Sequence, residues 1–208
     1  DRGLHTLEGH KAGFDRFPQI TKTAREAGIK TMTIWGFSTE NWHRDKSEVD
    51  YLFNIFNRAI DKFAKEIKEN EIRFRHLGRK THLPEKIVNR LSKLENDSSK
   101  NNKYFLNFAL DYGGRDEIAR GVKKIIDEKI KSSDVDDKLI SDHLDTSGLT
   151  DPDLIIRTSG EQRTSGLLPW QSTYAEFYFA PVHFPDFDAS QFKLALLEYS
   201  QRQRRFGV

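Results

Sequence analysis

Short apolar runs alternate with segments of helical period along the chain, and this alternation most narrows its choice of fold. Residues 29–37, with β-branched Thr31, Thr33 and Ile34, read as a buried strand. Residues 72–77, where Arg73 and Arg75 alternate with Ile72 and Phe74, read as another, as do 104–110, 153–156 and 176–179. Helices are expected over 10–27, closed by Gly28, then over 48–69, 84–94, 114–131, 136–144 and 189–202. The clearest is 48–69, in which Val49, Leu52, Phe53, Phe56, Ala59, Ile60, Phe63 and Ile67 recur in amphipathic steps of three and four. Residues 38–46 are expected to loop, with Ser47 as the N-cap of that helix, and 95–103 to form a polar connection. Strands alternating with helices imply an α/β layered domain, one unit over 1–208 with a largely parallel central sheet flanked by helices. Such sheets bind ligands beyond the carboxyl ends of their strands, which singles out residues 38–44, 111–115 and 157–165.

Composition closes several alternatives. The 208 residues carry 34 Lys+Arg against 32 Asp+Glu, a net charge of +2, which excludes a strongly basic nucleic-acid module. Cysteine is absent, which excludes a disulfide scaffold, a zinc–thiolate site and a thiol nucleophile. A cytoplasmic location is expected, with no signal peptide. No apolar run approaches the roughly 18 residues of a membrane-spanning helix. The seven histidines show no metal-ligand spacing, so a metal site would have to be assembled from dispersed carboxylates.

Four places concentrate chemistry. After the apolar run 153–156 come Arg157, Thr158, Ser159, Glu161, Arg163, Thr164 and Ser165. Arginine forks and hydroxyls suit phosphate oxygens, while a surface loop with Arg–Glu pairs uses the same residues. Ser38, Thr39, Glu40, Asn41, Trp42 and Arg44 follow the first strand, either as a functional turn or as a capping loop. His10 stands at the expected helix start, where free N–H groups favour an anion; a capping or core histidine is the alternative. Glu176 opens an aromatic strand and needs a partner there, whether a metal, an arginine or a backbone amide, unless it faces solvent.

Taken together, these segments resemble the cis-prenyltransferases. The matching stretches are Gly9-His10-Lys11-Ala12-Gly13, Gly36-Phe37-Ser38-Thr39-Glu40-Asn41-Trp42 and Asp111-Tyr112-Gly113-Gly114-Arg115. They continue with Asp153 through Glu161, Arg163, Ser165, Leu168, Trp170-Gln171, Tyr174 through Phe179, Phe184-Pro185-Asp186-Phe187 and Arg204-Arg205-Phe206-Gly207. Order and spacing agree over nearly the whole chain.

The resemblance implies elongation of an allylic diphosphate, typically farnesyl diphosphate, with isopentenyl diphosphate, each step making a Z double bond and releasing diphosphate. By resemblance, Arg157, Arg163, Thr164 and Ser165 hold isopentenyl diphosphate, and His10 contacts the allylic diphosphate. Asn41 and Ser38 assist proton removal, Thr39, Glu40 and Trp42 line the substrate face, Arg44 binds phosphate and Glu176 ligates Mg2+. Arg205 and Gly207 match a tail that in this family reaches across a homodimer. The product requires a hydrophobic tunnel, for which the 48–69 helix is a candidate wall, its stripe serving equally well as core. Peripheral membrane contact is expected for product release, and no nucleic acid as partner.

The sequence departs from the family in places. The Asp-Gly-Asn-x-Arg-Trp-Ala loop that follows the family's first strand does not occur here, so that strand and loop are expected to precede Asp1. Asp111 stands where Asn is common, and Ser159 where Gly is common. Gly36 is expected to leave room in the tunnel and Leu110 to take it away, and a medium-length, undecaprenyl-like product is expected. The alternatives are a shorter-chain synthase, a non-catalytic partner subunit of a hetero-oligomer, or a binding module for RNA or phosphorylated ligands that uses Arg73, Arg75, Arg157 and Arg163. The near-neutral charge opposes the last.

Overall fold

The computed structural model describes residues 6–203. Helix α1 covers Thr6–Glu26, β1 Thr31–Ser38, α2 Lys46–Glu69, β2 Ile72–Leu77, α3 Glu85–Ser98 and β3 Tyr104–Tyr112. Then follow α4 Gly114–Asp127, α5 Asp137–His143, β4 Leu154–Arg157, β5 Glu176–Phe179 and α6 Ala189–Ser200. Every strand pairing is parallel, as expected. The strands fall into two sheets, one ordered β1-β3-β2 and the other β4-β5.

Apolar residues on β3 explain its central place. Leu106, Phe108 and Leu110 join Ile34 and Phe37 of β1, Ile72 and Phe74 of β2, and the stripes of α2 and α3 in one core. On the opposite face Leu77, Ala109 and Tyr112 pack with Leu168. A strand buried on both faces reads as a continuous apolar run, as 104–110 does. Ile20 and Ala24 of α1 join Ala180, Phe187 and Phe192 in a third cluster, which ties α1 to α6.

Several boundaries move for physical reasons. Helix α1 already includes Thr6, so His10 lies at least a turn inside it rather than at a helix start. Its end is as expected: Gly28 at φ +81 closes it, with the Ile29 N–H donating to the Ala24 carbonyl and the Gly28 N–H to that of Arg25. Asp45, not Ser47, occupies the N-cap of α2. Helix α3 runs on to Ser98 through residues expected to form a connection, because its last turn covers the free edge of β2. Ser98 Oγ accepts from the Phe74 N–H at 2.9 Å, and Glu95 Oε1 accepts from the His76 N–H at 2.9 Å. Helix α4 stops at Asp127 because Lys129 takes φ +57, and its N–H returns to the Ile126 carbonyl. Among the described residues no helix is long and apolar enough to cross a membrane.

The stripe of α2 packs into the core: Val49, Leu52, Phe53, Phe56, Ile60, Phe63 and Ile67 are all buried there. A cavity of about 1320 Å³ opens instead between the two sheets, along residues 29–36 at the unpaired edge of β1 and 152–159 along β4. Its walls come from α1, β1, β4, β5, α6, Asn107 of β3 and the connecting loops, not from α2. Gly36 lies along this cavity, but the place of its missing Cβ is in the aromatic core. A Cβ there would meet Phe108 Cζ at 2.7 Å and Phe56 Cε1 at 3.3 Å, so aromatic rings already fill the space.

Candidate active site

The carboxyl end of β1 runs directly into a 3-10 turn, Thr39–His43. The Ser38 N–H donates to Asn41 Oδ1 at 2.9 Å, which fixes the amide's orientation and starts the turn. Thr39 packs so closely on Gly113 that a Cβ there would lie 2.3 Å from Thr39 Oγ1. Burial would raise the Glu40 pKa, but hydrogen bonds from its own backbone, Thr39 and Ser38, with the charge of Arg79, hold it below the usual carboxylate value. The Trp42 ring lies against Phe37 and Phe53, with centroids 5.1 and 5.3 Å away, and its Nε1–H donates to Asp111 Oδ1 at 2.8 Å. Arg44 donates to Glu48 Oε1 at 2.7 Å, and His10 Nε2 to the same oxygen at 3.1 Å. Partial burial of Glu48 is outweighed by these two contacts, and its pKa falls below the usual range. One carboxylate thus joins α1, the turn and α2.

The carboxyl end of β4 presents Arg157, which donates to Ser165 Oγ at 3.3 Å. Arg163 pairs with Glu161, so the Arg–Glu alternative holds for that arginine. The Ser159 N–H donates to the Val182 carbonyl at 2.7 Å, and the Gly160 N–H to that of Ala180 at 2.9 Å, which ties the loop to the chain beyond β5. Ser159, Gly160, Ser165, Gly166 and Leu168 all adopt positive φ.

The cavity brings part of the expected set together. His10, Arg157, Arg163 and Thr164 line it beside Phe14, Phe17, Ile34 and Leu168. Its described wall does not include Ser38, Thr39, Glu40, Asn41, Trp42, Arg44, Ser165 or Glu176. Arg205 and Gly207 lie outside the described residues. Glu176 has an arginine for partner: Arg202 donates to Glu176 Oε2 and to the Phe177 carbonyl, each at 2.8 Å. Among the described residues no three His, Asp or Glu side chains converge to hold a metal. A cation would therefore have to be held largely by substrate phosphates, with few ligands from the described residues, and no chemical step is derived through one.

Sequence reasoning missed two side chains. Glu48 could have been found as the i+4 partner of Arg44 at a helix start. Arg79, directly beyond β2, obeys the same strand-end rule that drew attention to the other loops. Its guanidinium binds Asp111 at 2.7 and 3.0 Å.

The arrangement sets cationic and hydroxyl groups at the ends of parallel strands, with a largely apolar cavity beside them. A family model described as "Putative undecaprenyl diphosphate synthase" matches residues 1–207. The chain belongs to this prenyltransferase family. It is 43% identical over 207 residues to an isoprenyl transferase of Streptococcus pyogenes serotype M6, spanning 96% of this chain and 83% of that protein. An isoprenyl transferase of Streptococcus agalactiae serotype V is 42% identical over the same span. Among solved structures, lavandulyl diphosphate synthase from Lavandula x intermedia, crystallised with dimethylallyl diphosphate, superposes with a TM-score of 0.95 at 35% identity. That match covers all of this chain and 91% of the other. A probable undecaprenyl diphosphate synthase from Campylobacter jejuni gives 0.85 at 30% identity, covering 95% and 92%. The protein is thus a transferase enzyme of the undecaprenyl diphosphate synthase type.

Proposed function

We propose that this chain, as one catalytic unit, condenses isopentenyl diphosphate onto an allylic diphosphate, with farnesyl diphosphate as primer, to make a medium-length, undecaprenyl-like Z-polyprenyl diphosphate. One observation carries the reading: Arg157, Arg163, Thr164 and Ser165 gather at and just beyond the carboxyl end of β4, where Arg157 donates to Ser165 Oγ at 3.3 Å. A diphosphate head suits that cluster, because guanidinium forks and hydroxyls bind phosphate oxygens.

In each condensation the allylic carbon–oxygen bond breaks, a carbon–carbon bond forms to isopentenyl diphosphate, and one proton leaves as diphosphate departs. The arginines stabilise the negative charge that grows on the departing group. Asn41 is a weak candidate for the base, because an amide oxygen accepts protons poorly and already accepts from the Ser38 N–H. Its role with Ser38 is to orient the condensing substrate, and the proton leaves on a phosphate oxygen or through solvent. The proposal extends to magnesium dependence, to a homodimer in which Arg205 and Gly207 serve the neighbouring site, and to peripheral membrane contact on product release.

The test is incorporation of radiolabelled isopentenyl diphosphate with farnesyl diphosphate as primer, followed by chromatographic sizing. A medium-length polyprenyl product is expected. A product only one or two isoprene units longer than the primer overturns the assigned length, and no incorporation overturns the substrates.

A further inference from the structure

We propose that the pair of half-buried Arg79 and buried Asp111 acts as a positioning device, fixing the Trp42 indole and through it the turn Thr39–His43 for prenyl transfer. What the turn is positioned to do rests on the reading above. That the pair holds Trp42 does not.

Asp111 is fully buried, at 0% exposure. A lone carboxylate there would be costly, and Arg79 offsets the cost with two hydrogen bonds, Nε to Oδ2 at 3.0 Å and one terminal nitrogen to Oδ1 at 2.7 Å. The third donor to this carboxylate is the Trp42 indole N–H, 2.8 Å from Oδ1. Trp42 is therefore held at its edge by a charge-assisted bond and on its ring by Phe37 and Phe53. Held in this way, the ring has little rotamer freedom, and the turn that carries it is held with it.

The backbone is shaped for this contact. Asp111 adopts φ +52, which aspartate and asparagine tolerate better than most residues. The Arg79 N–H donates to the Asp111 carbonyl at 3.0 Å, joining the carboxyl ends of β2 and β3. Gly78, at φ +116, makes the approach feasible, because a Cβ there would lie 2.4 Å from the Leu110 carbonyl oxygen and 2.7 Å from that of Asp111. Arg79 also reaches Asp116 at 3.5 Å, and Arg120 binds Asp116 at 2.7 Å, so the guanidinium is itself held from α4. Strand ends that are far apart in sequence thus converge on one indole.

A double-mutant cycle with prenyl-transfer kinetics tests the device, using Asp111→Ala, Trp42→Phe and the pair of substitutions together. Asp111→Ala is expected to lower kcat by roughly 10- to 100-fold, with KM for isopentenyl diphosphate little changed. In the Trp42→Phe background it should lower kcat no further. Equal loss of kcat in both backgrounds overturns the proposal, because Asp111 would then act other than through Trp42. Asp111→Asn, which keeps an acceptor, should recover most of kcat and serves if the alanine variant does not fold. The second readout is the Trp42 indole N–H resonance, assigned by its loss in Trp42→Phe. It should shift when Asp111→Asn replaces the charged acceptor, and an unmoved resonance overturns the contact. If the unsubstituted protein transfers no isoprene unit, the enzymatic reading fails, and the resonance alone decides whether the pair holds Trp42.

Discussion

The turn beyond β1 and the loop beyond β4 are built on opposite plans. In the first, each site side chain is already engaged: Asn41 by the Ser38 backbone, Trp42 by Asp111, and Arg44 and His10 by Glu48. Ser38 and Arg44, which bracket the turn, lie at ordinary negative φ. In the second, among the described residues Arg157 bonds a hydroxyl at 3.3 Å, Arg163 pairs with an exposed glutamate, and five of the residues 159–168 adopt positive φ. The contrast separates scaffold from receptor. A turn whose polar groups are satisfied by protein holds its shape without a ligand. On the proposed function, a loop of weakly partnered cations is the one that would exchange those partners for phosphate oxygens.

The sharpest way to break this contrast is to remove the cations. Arg157→Ala and Arg163→Ala should each cost about 1.5–3 kcal/mol of charge-assisted binding, raising KM for isopentenyl diphosphate roughly 10- to 150-fold. Thermal stability should change little, because Arg157 is half-buried with one long hydroxyl contact and Arg163 forms an exposed surface pair. Steady-state kinetics alongside thermal melts provide the check. A variant that melts earlier but keeps its KM would make the loop a scaffold like its counterpart.

A smaller effect is expected at Gly36, next to the turn on β1. In Gly36→Ala the new methyl would sit 2.7 Å from Phe108 Cζ, and that ring is hemmed in by Phe17, Phe56 and Phe63. Overpacking of this kind costs about 1–3 kcal/mol. Denaturant unfolding should show the loss with an unchanged slope. An equally stable variant would mean that the aromatic core can yield to a methyl group.

These two regions also differ in how legible they were. The strands 72–77 and 176–179 emerged with their observed limits because their apolar residues sit among clear punctuation. The last turn of α3 did not, because Glu95 and Ser98 carry no apolar signal; they hold that turn by bonding the edge of β2. The motif residues of the turn and the loop were visible as a concentration of polar groups after strands. What could not be read were their partners. Trp42 meets Asp111 across 69 positions, and Glu176 meets Arg202 across 26. Nor did local pattern reveal that the parallel strands divide into two sheets, because pairing of β1 with β3 and of β4 with β5 is decided by long-range packing. The two family departures at Asp111 and Ser159 acquire a physical reading only with the backbone in view. Both lie at positive φ, where Asn and Gly are favoured.

That last point gives the smallest and most local test of the contrast. Ser159 holds φ +71 with no glycine's freedom to do so, while its N–H is committed to the Val182 carbonyl at 2.7 Å and its hydroxyl lies 3.2 Å from His183 Nδ1. A left-handed residue with a Cβ is strained by about 1–2 kcal/mol, and glycine relieves this at the expense of greater freedom in the unfolded chain. Losing the exposed hydroxyl contact subtracts a little more. Ser159→Gly should therefore stabilise the protein by about 0.5–1 kcal/mol, read as a small rise in the unfolding midpoint. KM for isopentenyl diphosphate should change less than twofold, because Arg157 and Arg163, the cations proposed to hold phosphate, are untouched. A stability loss would mean that the Ser159–His183 contact outweighs the backbone strain, and that the receptor loop is held by its side chains much as the turn beyond β1 is.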